Sequence, residues 1–196
     1  MKRCDAACNP GMKFLCFDIE TTGLDATRDE VTMICTKDLA TSEQKSYNFG
    51  ILSSQDTSAT ALVQQVIKDF DEADCLCAFN GIRFDFPFMQ QALDIHEDII
   101  TRWVLKTVDP LEYLRLSGHR TSSLDKICIH NNIVSKSSTG LRAIEMARDG
   151  LWDELEQYCQ QDVSILCVLV QQRTFKHPAQ DQLIDLQDCM PEGVYS

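Results

Sequence analysis

Residues 13–19, Lys-Phe-Leu-Cys-Phe-Asp-Ile, are apolar without a break except at Lys13 and Asp18. Side chains alternate between faces along a strand, so a run apolar at successive positions marks a central strand buried on both sides. Asp18 stands in that run where a core residue belongs. A buried carboxylate without a partner costs several kcal/mol, so it needs a hydrogen-bonding group, a counter-charge or a metal. Glu20 follows two residues later and therefore projects from the same face. Two acids on one face repel each other unless a cation lies between them. The alternative is a strand end that turns into solvent at Thr21-Thr22-Gly23.

The rest of the chain reads as cover for that strand. Residues 31–36 and 45–49 are two further strands in a meander with the first, and residues 75–79 form a short buried strand. Helical spacing of Ala61, Val66, Ile67 and Phe70 predicts a helix over 57–70. Pro87 suits the first turn of a helix over 86–95, and 104–109 reads as a fifth strand. Helices follow over 110–117, 123–132, 141–149 and 152–173, with Gly140 and Gly150 as breaks. The expectation is an α/β fold with a mixed five-stranded sheet flanked by helices. At 196 residues and 44% apolar composition the chain suits one domain. It is expected over 12–176, between an N-terminal tail (1–11) and a polar C-terminal tail (177–196).

Bulk properties narrow the partners. No apolar run approaches the roughly 18 residues a membrane span needs, and the basic N-terminus has no apolar core behind it. Several of the ten cysteines lie inside apolar runs, which favours free thiols in a reducing, intracellular compartment, the cytoplasm or nucleus. Cys4 and Cys8 could pair or join a metal site, but no second cysteine or histidine pair has zinc-ligand spacing. A net charge of −12 argues against a protein that coats nucleic acid, while leaving room for one that grips only a strand end.

Two more segments carry acids in unusual places. On the last long helix Leu151, Leu155, Tyr158, Asp162, Ile165 and Leu169 trace one face, predicted to be buried, yet it carries a phenol and an acid one turn apart. A Tyr–Asp hydrogen bond at a wet helix edge would account for this equally well. Asp85, two residues before Pro87, could simply cap its helix, and Asn80-Gly81 could serve turn geometry at a strand end.

Together these segments resemble the DEDD superfamily of exonucleases, whose fold is RNase H-like. FDIETTGL at 17–24 is similar to the family's first motif, with its Asp-x-Glu. FNGIRFDFPFM at 79–89 resembles the second, especially its form in the proofreading domains of B-family DNA polymerases. YCQQD at 158–162 is similar to the third in its Tyr-x-x-x-Asp form, the mark of the DEDDy branch. The motifs occur in the family's order and span most of the chain.

The resemblance implies a 3′-to-5′ exonuclease that releases nucleoside monophosphates from a DNA or RNA strand with a 3′ end. It implies Asp18, Glu20, Asp85 and Asp162 as ligands of two divalent cations, and hard carboxylates suit Mg²⁺ or Mn²⁺. Asp18, Glu20 and Asp162 would hold one cation, Asp18 and Asp85 the other. Tyr158, whose ordinary pKa near 10 makes it a poor base, would orient the nucleophilic water. Thr22, Leu24 and Asn80 become substrate contacts, with Leu24 either a wedge against the last base or a core leucine closing its loop. Phe84 and Phe86 are expected in the core. Arg83, Arg115, Arg120 and Lys136 are either phosphate contacts or solvated surface charges, and the four histidines are expected to be structural or exposed. The rival reading is a catalytically weak nucleic-acid-binding or proofreading-type subunit that works beside a separate partner such as a polymerase.

Overall fold

The computed structural model describes residues 11–52, 57–134 and 140–191. Cys4, Cys8, Lys136 and nearly all of the expected N-terminal tail lie outside the described residues. The predicted central strand is β1 (Phe14–Thr21), which pairs antiparallel with β2 (Val31–Asp38) and parallel with β4 (Cys75–Cys77). β3 (Gln44–Asn48) extends the antiparallel edge and β5 (Thr107–Val108) the parallel edge, giving a five-stranded mixed sheet in the order β3-β2-β1-β4-β5.

Both faces of β1 are buried, as its composition requires. Leu15, Phe17 and Ile19 enter a core shared with α1 (Thr57–Asp71), α2 (Asp85–Ala92) and α3 (Glu97–Leu105). Phe17 is its hub, with its ring 4.9 Å from Phe70 and 5.2 Å from Phe86. Phe14 and Cys16 face the other core, under α7 (Trp152–Gln171) and joined by α5 (Leu124–His130) and α6 (Gly140–Arg148). Asp18 and Glu20 continue the parity of Phe14 and Cys16, so the strand aims both acids toward the α7 side.

Two stretches differ from the sequence expectation. Val104 and Leu105 do not start a strand; they end α3, leaving only Thr107–Val108 to pair with β4. The intervening Lys106 donates to the carbonyls of Phe70, Asp71 and Ala73 at 2.7, 3.1 and 2.6 Å, closing off the end of α1. The polar stretch from His177 does not trail away from the domain. β6 (Thr174–Lys176) and β7 (Leu183–Asp185) pair antiparallel, a 3-10 turn (Leu186–Cys189) follows, and Ile184 and Leu186 are buried beside α7. His177 is buried too. Its Nδ1 accepts from the Ala179 N–H at 3.1 Å, so the proton lies on Nε2, 2.6 Å from the Arg120 carbonyl oxygen.

Among the described residues no helix is long and apolar enough to cross a membrane, and the cysteines are free thiols. Because Phe17 joins the sheet to α1 and α2 through two ring contacts, truncation there leaves a cavity that neither helix fills. Phe17→Ala is expected to cost about 3–5 kcal/mol, read as a lowered urea midpoint with an unchanged slope.

Candidate metal centre

The site forms where β1 leaves the sheet. Pairing with β2 slips by one residue between Glu20 and Thr21, with Thr32 of β2 the extra residue, so the ladder is interrupted where the second acid emerges. The turn beyond is tied down locally. Thr21 Oγ1 donates to the Gly23 carbonyl at 2.5 Å, and Thr22 Oγ1 accepts from the Glu30 N–H at 2.9 Å. Gly23 is required by close approach, because a Cβ there would collide with the Asp29 carboxylate, which accepts from the Asp25 N–H. Leu24 is held out at 74% exposure, which removes its reading as a core residue.

Opposite the strand end, α7 presents Tyr158 and Asp162 one turn apart. Leu155, Ile165 and Leu169 on the predicted stripe are buried, whereas Leu151 is 42% exposed. The buried face of α7 is wider than that stripe and includes Cys159, Val163, Leu166 and Val170. Tyr158 and Asp162 therefore sit on its margin, partly exposed. Both line a cleft of about 440 Å³ with Asp18 and Glu20. The facing surface is largely apolar and includes Leu24, Phe79, Phe84, Leu141 and Ile144.

The tightest group of potential donors among the described residues is Asp18, Glu20 and Cys159, whose ligand atoms all lie within 4.8 Å of one another. Cys159 was not anticipated from sequence. It is buried, with Sγ 3.5 Å from the Asp18 carbonyl oxygen and 4.0 Å from Asp18 Oδ2. Asp162 shares the cleft but stands outside this group, and so does Asp85. Asp85 is the first residue of α2 and only 4% exposed. The helix cap position falls to Phe84, with no side-chain cap bond, so Asp85 is not the N-cap.

Asn80 does not line the cleft. Its φ of +73° places it in the left-handed region that Asn tolerates, as a turn residue. Its Oδ1 accepts from Arg115 Nη2 at 2.8 Å. Arg83 is paired with Glu112 at 2.6 Å. Asp109 also went unanticipated, although an Asp before a Pro is a readable helix-start signal. It caps α4 (Pro110–Leu116) and is 5% exposed.

Electrostatics set the character of the centre. Burial, followed by the charges of Glu20, Asp85 and Asp162, holds the Asp18 carboxyl well above the usual carboxylate range. All four predicted acids thus act within one electrostatic neighbourhood. Asp85 is pushed up to about 7, first by burial and then by Asp109, against the pull of its own amide and that of Ile19. Burial and then Asp162, Glu20 and Asp18 push the Tyr158 phenol up, so it keeps its proton at neutral pH. The donor set is carboxylate-rich and self-repelling, which fits a hard divalent cation.

An acid whose folded-state pKa lies above its unfolded value of about 3.9 favours folding while it is protonated. The metal-free chain is therefore expected to lose stability as pH rises from about 4 to about 7, where Asp85 ionises. Asp25, Asp69, Glu112 and Asp185 are shifted downward, so their contributions are lost only at lower pH. Thermal midpoints in chelator should fall across this window, and Asp85→Asn should flatten the fall. Mn²⁺ should raise the midpoint more at the upper end of the window than at the lower. A flat wild-type profile would remove the electrostatic account.

Comparison with known proteins places the fold. A family model of the RNase H superfamily matches residues 15–174. No curated protein matches the chain in sequence. Among solved structures, a family B DNA polymerase from the hyperthermophilic archaeon Pyrobaculum calidifontis is similar at 20% identity and a TM-score of 0.61, covering 82% of this chain and 24% of that one. E. coli exonuclease I in complex with a dT13 oligonucleotide aligns at 14% identity and a TM-score of 0.50, covering 82% of this chain and 40% of that one. A product-bound exonuclease I aligns at 14% identity and 0.51, covering 82% and 43%. The chain thus spans about a quarter of the polymerase and two-fifths of the exonuclease. These neighbours are of the kinds that the three motifs resemble, and with the family match over most of its length the chain belongs to the RNase H superfamily.

Proposed function

We propose that the chain is a divalent-cation-dependent 3′-to-5′ exonuclease of the DEDDy type, acting on the terminal phosphodiester of a DNA or RNA strand. The observation that carries this reading is the cleft itself. Asp18 and Glu20 from β1 and Tyr158 and Asp162 from α7 share it with a largely apolar surface that includes Leu24. An acidic cleft alone would repel a phosphodiester, so the acids need cations before a nucleic-acid strand can approach.

Asp18, Glu20 and Asp162 would hold one cation and Asp18 and Asp85 a second. When bound, Mg²⁺ or Mn²⁺ would stabilise the charge that builds on the attacking and leaving oxygens during hydrolysis. Tyr158 keeps its proton, so its part is to donate a hydrogen bond that orients the attacking water. Leu24, exposed and lining the cleft, would wedge against the terminal base. Thr22 holds the Leu24 loop through Glu30, and its contact with the strand is secondary to that role. Asn80 gives its side-chain oxygen to Arg115, which leaves its amide nitrogen as the group for a strand contact. The free thiols fit work in a reducing, intracellular compartment.

A second reading draws on the charge. At −12 the chain offers little electrostatic grip of its own, which suits a weak or proofreading-type subunit whose partner, such as a polymerase, holds the nucleic acid.

The deciding experiment is digestion of end-labelled single- and double-stranded DNA and RNA in Mg²⁺ or Mn²⁺. Wild-type chain should release mononucleotides from the 3′ end, and Asp18→Ala and Asp162→Ala should abolish release. No digestion of any substrate with either cation would leave only the subunit reading. In the same assay Tyr158→Phe is expected to lower turnover on the order of 10²-fold with Mn²⁺ binding unchanged. Normal turnover would remove the assigned role of the phenol.

A further inference from the structure

The carboxylate of Asp109 is buried and surrounded by backbone donors from two separate parts of the chain. Two belong to its own helix, the N–H groups of Leu111 at 3.0 Å and Glu112 at 3.1 Å. These complete an ordinary N-cap. The other two come from nearly thirty residues upstream, with Asn80 N–H donating to Oδ1 at 2.9 Å and Ile82 N–H to Oδ2 at 3.1 Å. Capping α4 does not need them. Their effect is to fasten the segment that delivers Asp85.

That segment is short and tightly wound. Asn80, in its left-handed conformation, accepts at its carbonyl from the N–H of Phe84 at 3.0 Å. Gly81 accepts from the N–H of Phe86 at 2.9 Å, so each bond spans a single turn and Asp85 lies between the two donors. A shift of the Asn80–Ile82 backbone therefore passes directly to Asp85. α4 grips the same segment at two further points, Arg115 on the Asn80 oxygen and Glu112 on Arg83.

We propose that Asp109 is a positioning residue for the metal centre, holding the Asn80–Phe84 segment so that Asp85 stands at the distance from Asp18 that lets the two share a cation. The inference rests on the exonuclease reading for the role of Asp85 and adds a residue outside the three motifs. Asp109 itself touches neither substrate nor cation. Its charge is satisfied by amide dipoles, and ionised carboxylates accept such bonds strongly. Loss of that charge loosens the segment without removing a ligand.

The test is Mn²⁺ binding to the full chain, followed by calorimetry or by the electron paramagnetic resonance of free Mn²⁺, with activity read separately. Asp109→Asn keeps the size of the side chain but loses charge and acceptor capacity. It should weaken Mn²⁺ binding by about 10- to 100-fold, the range seen when residues that orient metal ligands are replaced. Asp85→Ala should show a comparable loss. Combined with Asp85→Ala, Asp109→Asn should produce no further loss, because both changes act through one carboxylate. A merely structural residue would lower the melting temperature and leave the affinity of the folded chain unaltered.

Arg115→Ala loosens the same segment from its other anchor and is expected to show a smaller loss in the same direction. It carries the comparison if the Asp109 variant does not fold. Unchanged Mn²⁺ affinity in the folded variants, or losses that simply add in the double variant, would overturn the positioning role while leaving the metal centre intact. A wild-type chain that binds no Mn²⁺ would overturn the metal centre and this role with it.

Discussion

Repulsion among carboxylates at the end of the central strand is the constraint around which this molecule is arranged. Burial raises the free energy of ionised Asp18 most, and Glu20, Asp85 and Asp162 each raise it further. Left to relax, such a group would spread apart or draw in water. The first route is closed by the strand that carries it. Phe14, Cys16 and Phe17 fix β1 between two packed cores, and β2 and β4 hold its backbone on either side. Close-packed interiors deform little, so the strain stays with the acids, where a cation can remove it.

The same constraint decides which parts of the fold were legible in sequence. β1 could be read because an apolar run marks a strand buried on both faces, and strand alternation put Asp18 and Glu20 on one face; the acids by themselves fitted a strand end turning into solvent as well as a site. α7 could be read from its spacing, but the stripe chosen was only one side of a broader buried face centred nearer Cys159 and Val163. Tyr158 and Asp162 are therefore marginal to the core, which is where groups that must meet both protein and solvent belong. Leu24 was open between wedge and core in sequence, because a leucine has no polarity to betray its surroundings. Only the turn held by Thr22, Gly23 and Asp29 determines that it faces out.

What was not legible depends on partners remote in the chain. Val104 and Leu105 have strand-like composition, yet they belong to α3, whose buried positions Ile100 and Trp103 dock against residues from α1 and α2. A short apolar run cannot announce which of those outcomes tertiary packing will select. The hairpin of β6 and β7 escaped because its few apolar residues, Phe175 on one strand and Leu183 and Ile184 on the other, are separated by polar turn chemistry. Asp109 could have been read as a cap from its proline neighbour. Its bonds to Asn80 and Ile82 could not, since nothing local links positions 109 and 80.

The distribution of charge bears on how a nucleic acid would be met. Arg83 and Arg115, two basic residues near the second motif, are already engaged by Glu112 and Asn80. Glu112 is drawn down to about 2 by those guanidinium groups, Arg83 foremost, so the network stays ionised across the working pH range. These arginines serve the loop before Asp85 and are poorly placed to neutralise a phosphate backbone as well. With a net charge of −12, long-range attraction for a duplex is weak. On the exonuclease reading, the affinity left to the isolated chain would come from contacts at one end of a strand, through bound cations on the acidic side and apolar contact with a base on the other. Such a grip would scale with the terminal nucleotide and not with strand length, which is the physical reason the proposed reading puts action at an end.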